Sequence, residues 1–165
     1  MQEGVGNLRL EFERLKKQLM TEGLFDRQRK KAIPLFPTRI ALITSPEGAA
    51  IHDFLTILDR RNWKGEVLLL PSLVQGPKAP GNLVNALGKI KSIIHGIDLV
   101  VMTRGGGSVE DLWAFNDEIL VRKMVDFEIP IISAIGHETD FVLCDFVADL
   151  RAETPSGAAE LISSN

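Results

Sequence analysis

Arg39-Ile40-Ala41-Leu42-Ile43-Thr44 is a short apolar run, and Ser45-Pro46-Glu47 follows it at once. Four consecutive apolar residues read as a strand buried on both faces. Ser as cap, Pro at the first helical position and an acid in the first turn read as a helix start. The same alternation repeats downstream. Ile51, Phe54, Leu55 and Leu58 stripe the first helix, and Val67-Leu68-Leu69-Leu70 inside Glu66 to Pro71 is a second strand. Leu83, Leu87, Ile90 and Ile94 stripe a second helix closed by Gly96, and Leu99-Val100-Val101-Met102 inside Asp98 to Thr103 is a third strand. Asn116 is expected to cap a helix running to about Val125, with Phe115 and Leu120 as its staple. Ile131-Ile132-Ser133-Ala134-Ile135 is the fourth strand, and the chain from Asp140 onward reads as mostly helical, broken at Thr154-Pro155-Ser156. Strands separated by helices must run parallel. The expected fold is α/β: an open, mostly parallel sheet of four or more strands with helices on both faces.

Upstream of this unit, Leu8, Phe12, Leu15 and Leu19 mark an amphipathic helix over 8–22 that Gly23 ends. A basic connector, Arg27-Gln28-Arg29-Lys30-Lys31, leads to Pro34 and Pro37. The expected organisation is therefore 1–36 as helix and basic hinge, and 37–165 as the α/β domain. No repeat or low-complexity segment interrupts it.

Composition narrows the function classes. The 165 residues are 45% hydrophobic and 25% charged, which is globular and neither disordered nor fibrous. Cys144 is the one cysteine, so an intrachain disulfide and a cysteine zinc site are excluded, and a cytoplasmic setting fits best. No window is long and apolar enough for a membrane span, and the first residues lack a signal pattern. Net charge is −3, divided unevenly: residues 1–39 carry nine Lys/Arg against five Asp/Glu, and residues 40–165 carry ten against seventeen. Composition alone thus weighs against a nucleic-acid role.

Ligands of open parallel sheets bind beyond the carboxyl ends of the strands. Ser45, Gly48, His52 and Asp53 follow strand one; Arg104-Gly105-Gly106-Gly107-Ser108 follows strand three; Gly136-His137-Glu138-Thr139-Asp140 follows strand four. Three successive glycines let backbone N–H groups turn toward one anion, and Arg104 adds a fork suited to phosphate. The plainer reading of the segment is a flexible loop with a capping box, Ser108 with Asp111; the two are compatible. It is not a Walker loop, because no Gly-Lys-Ser/Thr follows. His137 and Asp140, three apart, suit a general acid or base with an orienting carboxylate, against the plain alternatives of a buried histidine and a helix cap. Asp53 is either a solvated first-turn acid or a carboxylate aimed at the same edge. His52, adjacent on the helix, points about 100° away from it. His95 sits at a helix end and receives no function. Asn116, Asp117 and Glu118 read as a cap and first-turn acids. Trp63 and Trp113 read as packing rather than base-stacking platforms.

Taken together, Thr44 to Ala50 with Asp53, Val74-Gln75-Gly76, Arg104 to Trp113, Phe115 to Glu118, Gly136 to Asp140, Asp145 to Ala152 and Thr154-Pro155-Ser156 closely resemble the large-subunit family of bacterial exodeoxyribonuclease VII. The resemblance covers nearly the whole chain. It implies the catalytic core of an exonuclease that degrades single-stranded DNA from either end to short oligonucleotides with 5′-phosphates. It implies Asp53, Arg104, His137 and Asp140 as catalytic residues, and Ser45, Gly105, Gly106, Gly107 and Ser108 against the substrate. No divalent metal is strictly required in the family, though magnesium stimulates some members, where Asp53 would share it. The family's N-terminal OB-fold and most of its C-terminal coiled coil are not in this sequence. The resemblance implies that much of the DNA affinity would belong to that OB-fold, which answers the charge objection. The implied partners are single-stranded DNA and, through the missing C-terminal region, the small subunit; a homo-oligomer through the first helix is a further option. Two other readings stand beside this one: a small-molecule phosphate enzyme using the same edge, and a fragment inert by itself that serves as folded core and assembly piece.

Overall fold

The computed structural model describes residues 2–93, 96–104, 111–135 and 141–164. Five parallel strands make one sheet: β1 (Arg39–Thr44), β2 (Glu66–Pro71), β3 (Leu99–Thr103), β4 (Ile131–Ala134) and β5 (Leu150–Arg151), in the order β2-β1-β3-β4-β5. The α/β expectation is met, with one strand beyond those read from the sequence. β5 lies in the stretch expected to be helical. Two residues carry no periodicity, and this strand exists because Ala152 N–H donates to Ser133 O at 2.8 Å and Asp149 N–H to Ile131 O at 2.9 Å.

The interiors of β1, β3 and β4 are closed to solvent because both sheet faces are covered, while the edge strands β2 and β5 are half-buried. On one face Ala41, Ile43, Val100, Met102 and Ile131 pack under α1 (Gln2–Thr21), α3 (Ala79–Ser92), α4 (Glu118–Val125) and α5 (Leu143–Val147). On the other, Ile40, Leu42, Leu99, Val101, Ile132 and Ala134 pack under α2 (Ala49–Arg60) and α6 (Pro155–Ile162). Alternate residues of each strand go to opposite clusters, as the two-residue repeat of a strand requires. Phe54 and Phe115 are fully enclosed, and each such side chain contributes on the order of 2–3 kcal/mol by burial.

Several helix starts differ from expectation. α2 begins at Ala49 with Gly48 before it, because Ser45-Pro46-Glu47 closes a turn instead: Gly48 N–H reaches Ser45 O and Glu47 N–H reaches Ser45 Oγ. Its buried stripe is Ala50, Phe54 and Leu58, while Leu55 is 41% exposed. Asp117, not Asn116, caps α4, accepting from Leu120 N–H at 3.0 Å. Asn116 is used elsewhere: its Oδ1 accepts from Leu143 N–H at 2.7 Å and ties down the start of α5.

The N-terminal segment is fastened to this framework. Leu15 and Leu19 of α1 lie in the cluster beneath the sheet, and Glu22, just after α1, holds Arg122 through two 2.8 Å bonds. Arg122 draws the Glu22 carboxyl down to about 2. Gly23 adopts φ +81, the left-handed turn that stops α1. In the basic connector, Lys30 Nζ donates to Phe146 O and to Ala148 O, and Lys31 N–H donates to Asp149 Oδ1 at 2.6 Å. Two backbone carbonyls and a buried carboxylate thus fix residues that composition alone presents as a hinge.

Candidate functional site

β1 lies centrally, β2 leaves it to one side, and β3 pairs on the other. The connections from these strands depart to opposite sheet faces, α2 to one and α3 to the other, so a crevice opens past the carboxyl ends of β1 and β3. Ile43 pairs with Met102. Continued by two residues, that register sets Ser45 beside Arg104. Adjacent strands lie about 4.8 Å apart, so these two start from neighbouring positions on the crevice rim.

Arg104 is the most constrained charge at this edge. Its side chain is 4% exposed. Nη2 donates to Gln75 Oε1 at 3.2 Å and stands 3.6 Å from Asp111 Oδ2. Gln75 comes from the segment after β2, and Asp111 opens the short helical turn Asp111–Asn116. Two loops from either side therefore grip one guanidinium. Burial lowers its proton affinity and the Asp111 charge opposes that shift; an arginine stays cationic through such a change. The result is a fixed, poorly hydrated positive charge at the crevice, the kind of group that stabilises an oxyanion without reorganising.

Asp53 sits on the exposed side of α2, one residue from exposed His52. Ser45 is half-buried, and its hydroxyl oxygen accepts from Glu47 N–H at 3.4 Å. Asp53 and Ser45 thus both follow β1, on the same strand-end side of the sheet as Arg104. Gly105, Gly106, Gly107, Ser108, His137 and Asp140 lie outside the described residues, as does His95. Trp63 serves packing: its Nε1 donates to Pro37 O at 3.1 Å.

The end of β4 carries a second polar assembly. Asp145, in α5, has no exposed side-chain surface. Its Oδ1 accepts from Ser133 Oγ at 2.8 Å, its Oδ2 from Val142 N–H at 2.9 Å, and Arg151 Nε stands 3.5 Å away. Burial pushes its carboxyl above the ordinary Asp range, while those donors pull it back down. Arg151 also lies over the Phe141 ring at 3.8 Å, a cation–π arrangement. Ser133 and Phe141 bracket in sequence the Gly136 to Asp140 segment, so both of its flanks are tied to one buried carboxylate.

A family model described as exonuclease VII, large subunit, matches residues 24–165. The chain belongs to this family. It is 56% identical over 160 residues to the exodeoxyribonuclease 7 large subunit of Tolumonas auensis, a match covering 97% of this chain and 36% of that protein. It is 52% identical over 162 residues to the protein of that name from Halothermothrix orenii, covering 98% of this chain and 40% of the relative. The Bacillus cereus protein of the same name is 52% identical over 163 residues, covering 99% and 36%. The chain therefore spans well under half the length of the relatives it matches.

For this family member, the structure adds three residues that the sequence reading did not assign to the site. Gln75 and Asp111 hold Arg104, and Asp145 organises the end of β4. Asp145 carried a readable signal: it is the lone charge in Phe141-Val142-Leu143-Cys144-Asp145-Phe146-Val147, and an isolated acid in an apolar run must find partners. Gln75 carried no local physical signal, because its partner is 29 positions away, and stood out only as part of the Val74-Gln75-Gly76 block of the family resemblance. Among the described residues, no helix is long and apolar enough to cross a membrane.

Proposed function

We propose that this chain is the catalytic core of a single-strand-specific exodeoxyribonuclease, hydrolysing DNA phosphodiesters from either end to oligonucleotides with 5′-phosphates. The observation that carries the reading is the buried Arg104 guanidinium, clamped by Gln75 and Asp111 at the strand-end crevice and heading the Gly105-Gly106-Gly107 run. Membership of the exonuclease VII large-subunit family supports it.

The division of labour follows from charge. Arg104 and the backbone N–H groups of the glycine run hold the scissile phosphate and offset the charge that builds on its oxygens. Ser45 adds a hydroxyl at the neighbouring strand end. His137, its ring oriented by Asp140, gives a proton to the departing 3′-oxygen as the P–O3′ bond breaks, so the phosphate stays on the 5′ side of the product. Asp53 activates water; in a magnesium-stimulated enzyme the same carboxylate would share the ion. Among the described residues no three His, Cys, Asp or Glu side chains are grouped to hold a metal. The small subunit and the remaining length of the large subunit complete the assembly, which works in the cytoplasm.

The test is a digestion of single-stranded DNA labelled at either end, by the complete large subunit with its small subunit and by this chain alone. Short products bearing 5′-phosphates from both ends are expected, with duplex DNA spared. Products ending in 3′-phosphates, or an inert complete enzyme, would overturn the assignment. Turnover of mononucleotide phosphates but not of DNA would favour a small-molecule enzyme.

A further inference from the structure

The opposite edge of the sheet holds a surface that the proposed chemistry does not use. A cavity of about 290 Å³ lies before the amino ends of β1 and β2, lined in part by Phe36, Thr38, Arg61, Trp63 and Lys64. Phe36 is 75% exposed and Leu35, also on its wall, 71%. Large apolar side chains held in water beside a concavity mark a contact surface.

Its architecture is built rather than incidental. α2 ends where Asn62 takes φ 59, the left-handed conformation, which sends Trp63 back so that its N–H meets Leu58 O. The indole then lies across Gly65, where a Cβ would stand 2.2 Å from Trp63 Cζ2 and 2.5 Å from Thr38 O. With Trp63 Nε1 bonded to Pro37 O, the ring is held in place in the lining it shares with the exposed Phe36.

The charge is one-sided. Arg61 and Lys64 line the cavity, and among the described residues no lining residue is acidic. Two acids at the same strand ends have partners: Asp98 Oδ2 accepts from Thr38 N–H and Oγ1, and Glu66 faces Arg39 at 3.7 Å. Cations at the end of α2 also complement its dipole, but that role does not call for an exposed phenylalanine beside them. Aromatic faces flanked by cations are what single-stranded polynucleotides select, bases stacking while phosphates pair.

We propose that this amino-edge cavity is a second contact for single-stranded DNA, with Phe36 stacking a base and Arg61 and Lys64 pairing with the phosphates. It rests on the nuclease reading for the identity of the polymer. Six-residue strands separate it from the catalytic edge, roughly 20 Å at 3.3 Å per residue. A trinucleotide is too short to wrap from one edge to the other, and a 30-mer is long enough.

The experiment measures binding of fluorescein-labelled dT30 to this chain by anisotropy across a salt series. Phe36→Ala should weaken it about fivefold or more. Arg61→Ala/Lys64→Ala should lower the slope of log K against log salt by about 1.4, the release of two counterions. Both changes sit on exposed side chains. Variants that bind dT30 as tightly as the unaltered chain, or an unaltered chain that does not bind it, would overturn the proposal. Unchanged dT30 binding with altered sedimentation would overturn it too, and would assign the surface to a protein contact. The catalytic reading is judged separately, by cleavage of dT3 in the complete enzyme: Phe36→Ala should leave it unchanged. Loss of dT3 cleavage in every form would count against the catalytic reading while dT30 binding still decides this one.

Discussion

Replacing Arg104 by lysine keeps the charge and removes the fork, so it separates two explanations of why an arginine stands there. The guanidinium bonds Gln75 Oε1 at 3.2 Å and pairs with Asp111 at 3.6 Å through Nη2, so the plane of its donor fork is held in a fixed direction. A lysine ammonium is a single point on a flexible stem. It can satisfy those anchors or meet a phosphate oxygen, and it cannot present a planar pair of donors. Losing one preorganised donor to a developing oxyanion costs about 3–4 kcal/mol, a factor of 10²–10³ in turnover. The expected result for Arg104→Lys in the complete enzyme is therefore a kcat lowered about 10²–10³-fold. KM should change far less, because charge attraction to the ground-state phosphate survives. Digestion of end-labelled single-stranded DNA under saturating conditions reads this directly, and thermal unfolding of the same preparation checks that the fold is retained. Turnover within about fivefold of the unaltered enzyme would refute the role given to the guanidinium.

The clamp predicts a graded effect. Gln75→Ala and Asp111→Asn should each lower kcat about tenfold, the order expected when a catalytic group loses its positioning, with the loss concentrated in kcat; unaffected kinetics in both would mean that Arg104 needs no holding. Asp145→Ala removes the acceptor shared by Ser133, Val142 and Arg151 and should cost about 3–5 kcal/mol of stability. In a chain of this size that is a fall in Tm on the order of 10 °C, and a shift under about 2 °C would contradict the network. Because burial holds the Asp145 carboxyl above its ordinary range, the folded protein binds that proton more tightly than the unfolded chain. Its contribution to stability is then greatest in acid and declines as pH rises from the unfolded value through the folded one. Asp145→Asn should remove this decline from urea unfolding measured across pH, and an identical profile would show that the group does not titrate as described. Gly65→Ala places a methyl against Trp63 and the Thr38 carbonyl and should cost about 1–3 kcal/mol; a urea midpoint equal to that of the unaltered chain would show that the indole moves aside freely.

The parallel sheet was legible because its signal is local. Ile40 to Ile43 and Leu99 to Met102 are unbroken apolar runs at strand length, Ile131 to Ala134 is broken only by Ser133, and burial on both faces is the arrangement such runs require. β5 was illegible for the opposite reason: Leu150-Arg151 is two residues long and is specified by its ladder to β4. Helix starts failed where two residues competed for one cap. Asp117 takes the cap of α4 because Asn116, one residue earlier, is drawn off to Leu143 across 27 positions. The same kind of distance hid the clamp on Arg104. Local chemistry made the arginine a candidate at the head of a glycine run, and nothing near it in sequence names Gln75.

Strand order is the step that turns those local readings into a site. The sequence places Ser45 and Arg104 nearly sixty residues apart, at the ends of the first and third strands, and is silent on whether those strands touch. They do touch, because β2 was laid to the far side of β1 and left its other edge open for β3. Had β3 been added beyond β2, Arg104 would stand two strand spacings from Ser45, roughly 10 Å, with another loop between them. The reversal of direction at β1 also sends α2 and α3 to opposite faces, which keeps either helix from covering the rim between the strand ends. The topology is thus part of the chemistry: it opens the crevice, and it lets loops from β2 and from the far side of β3 converge on a single cation.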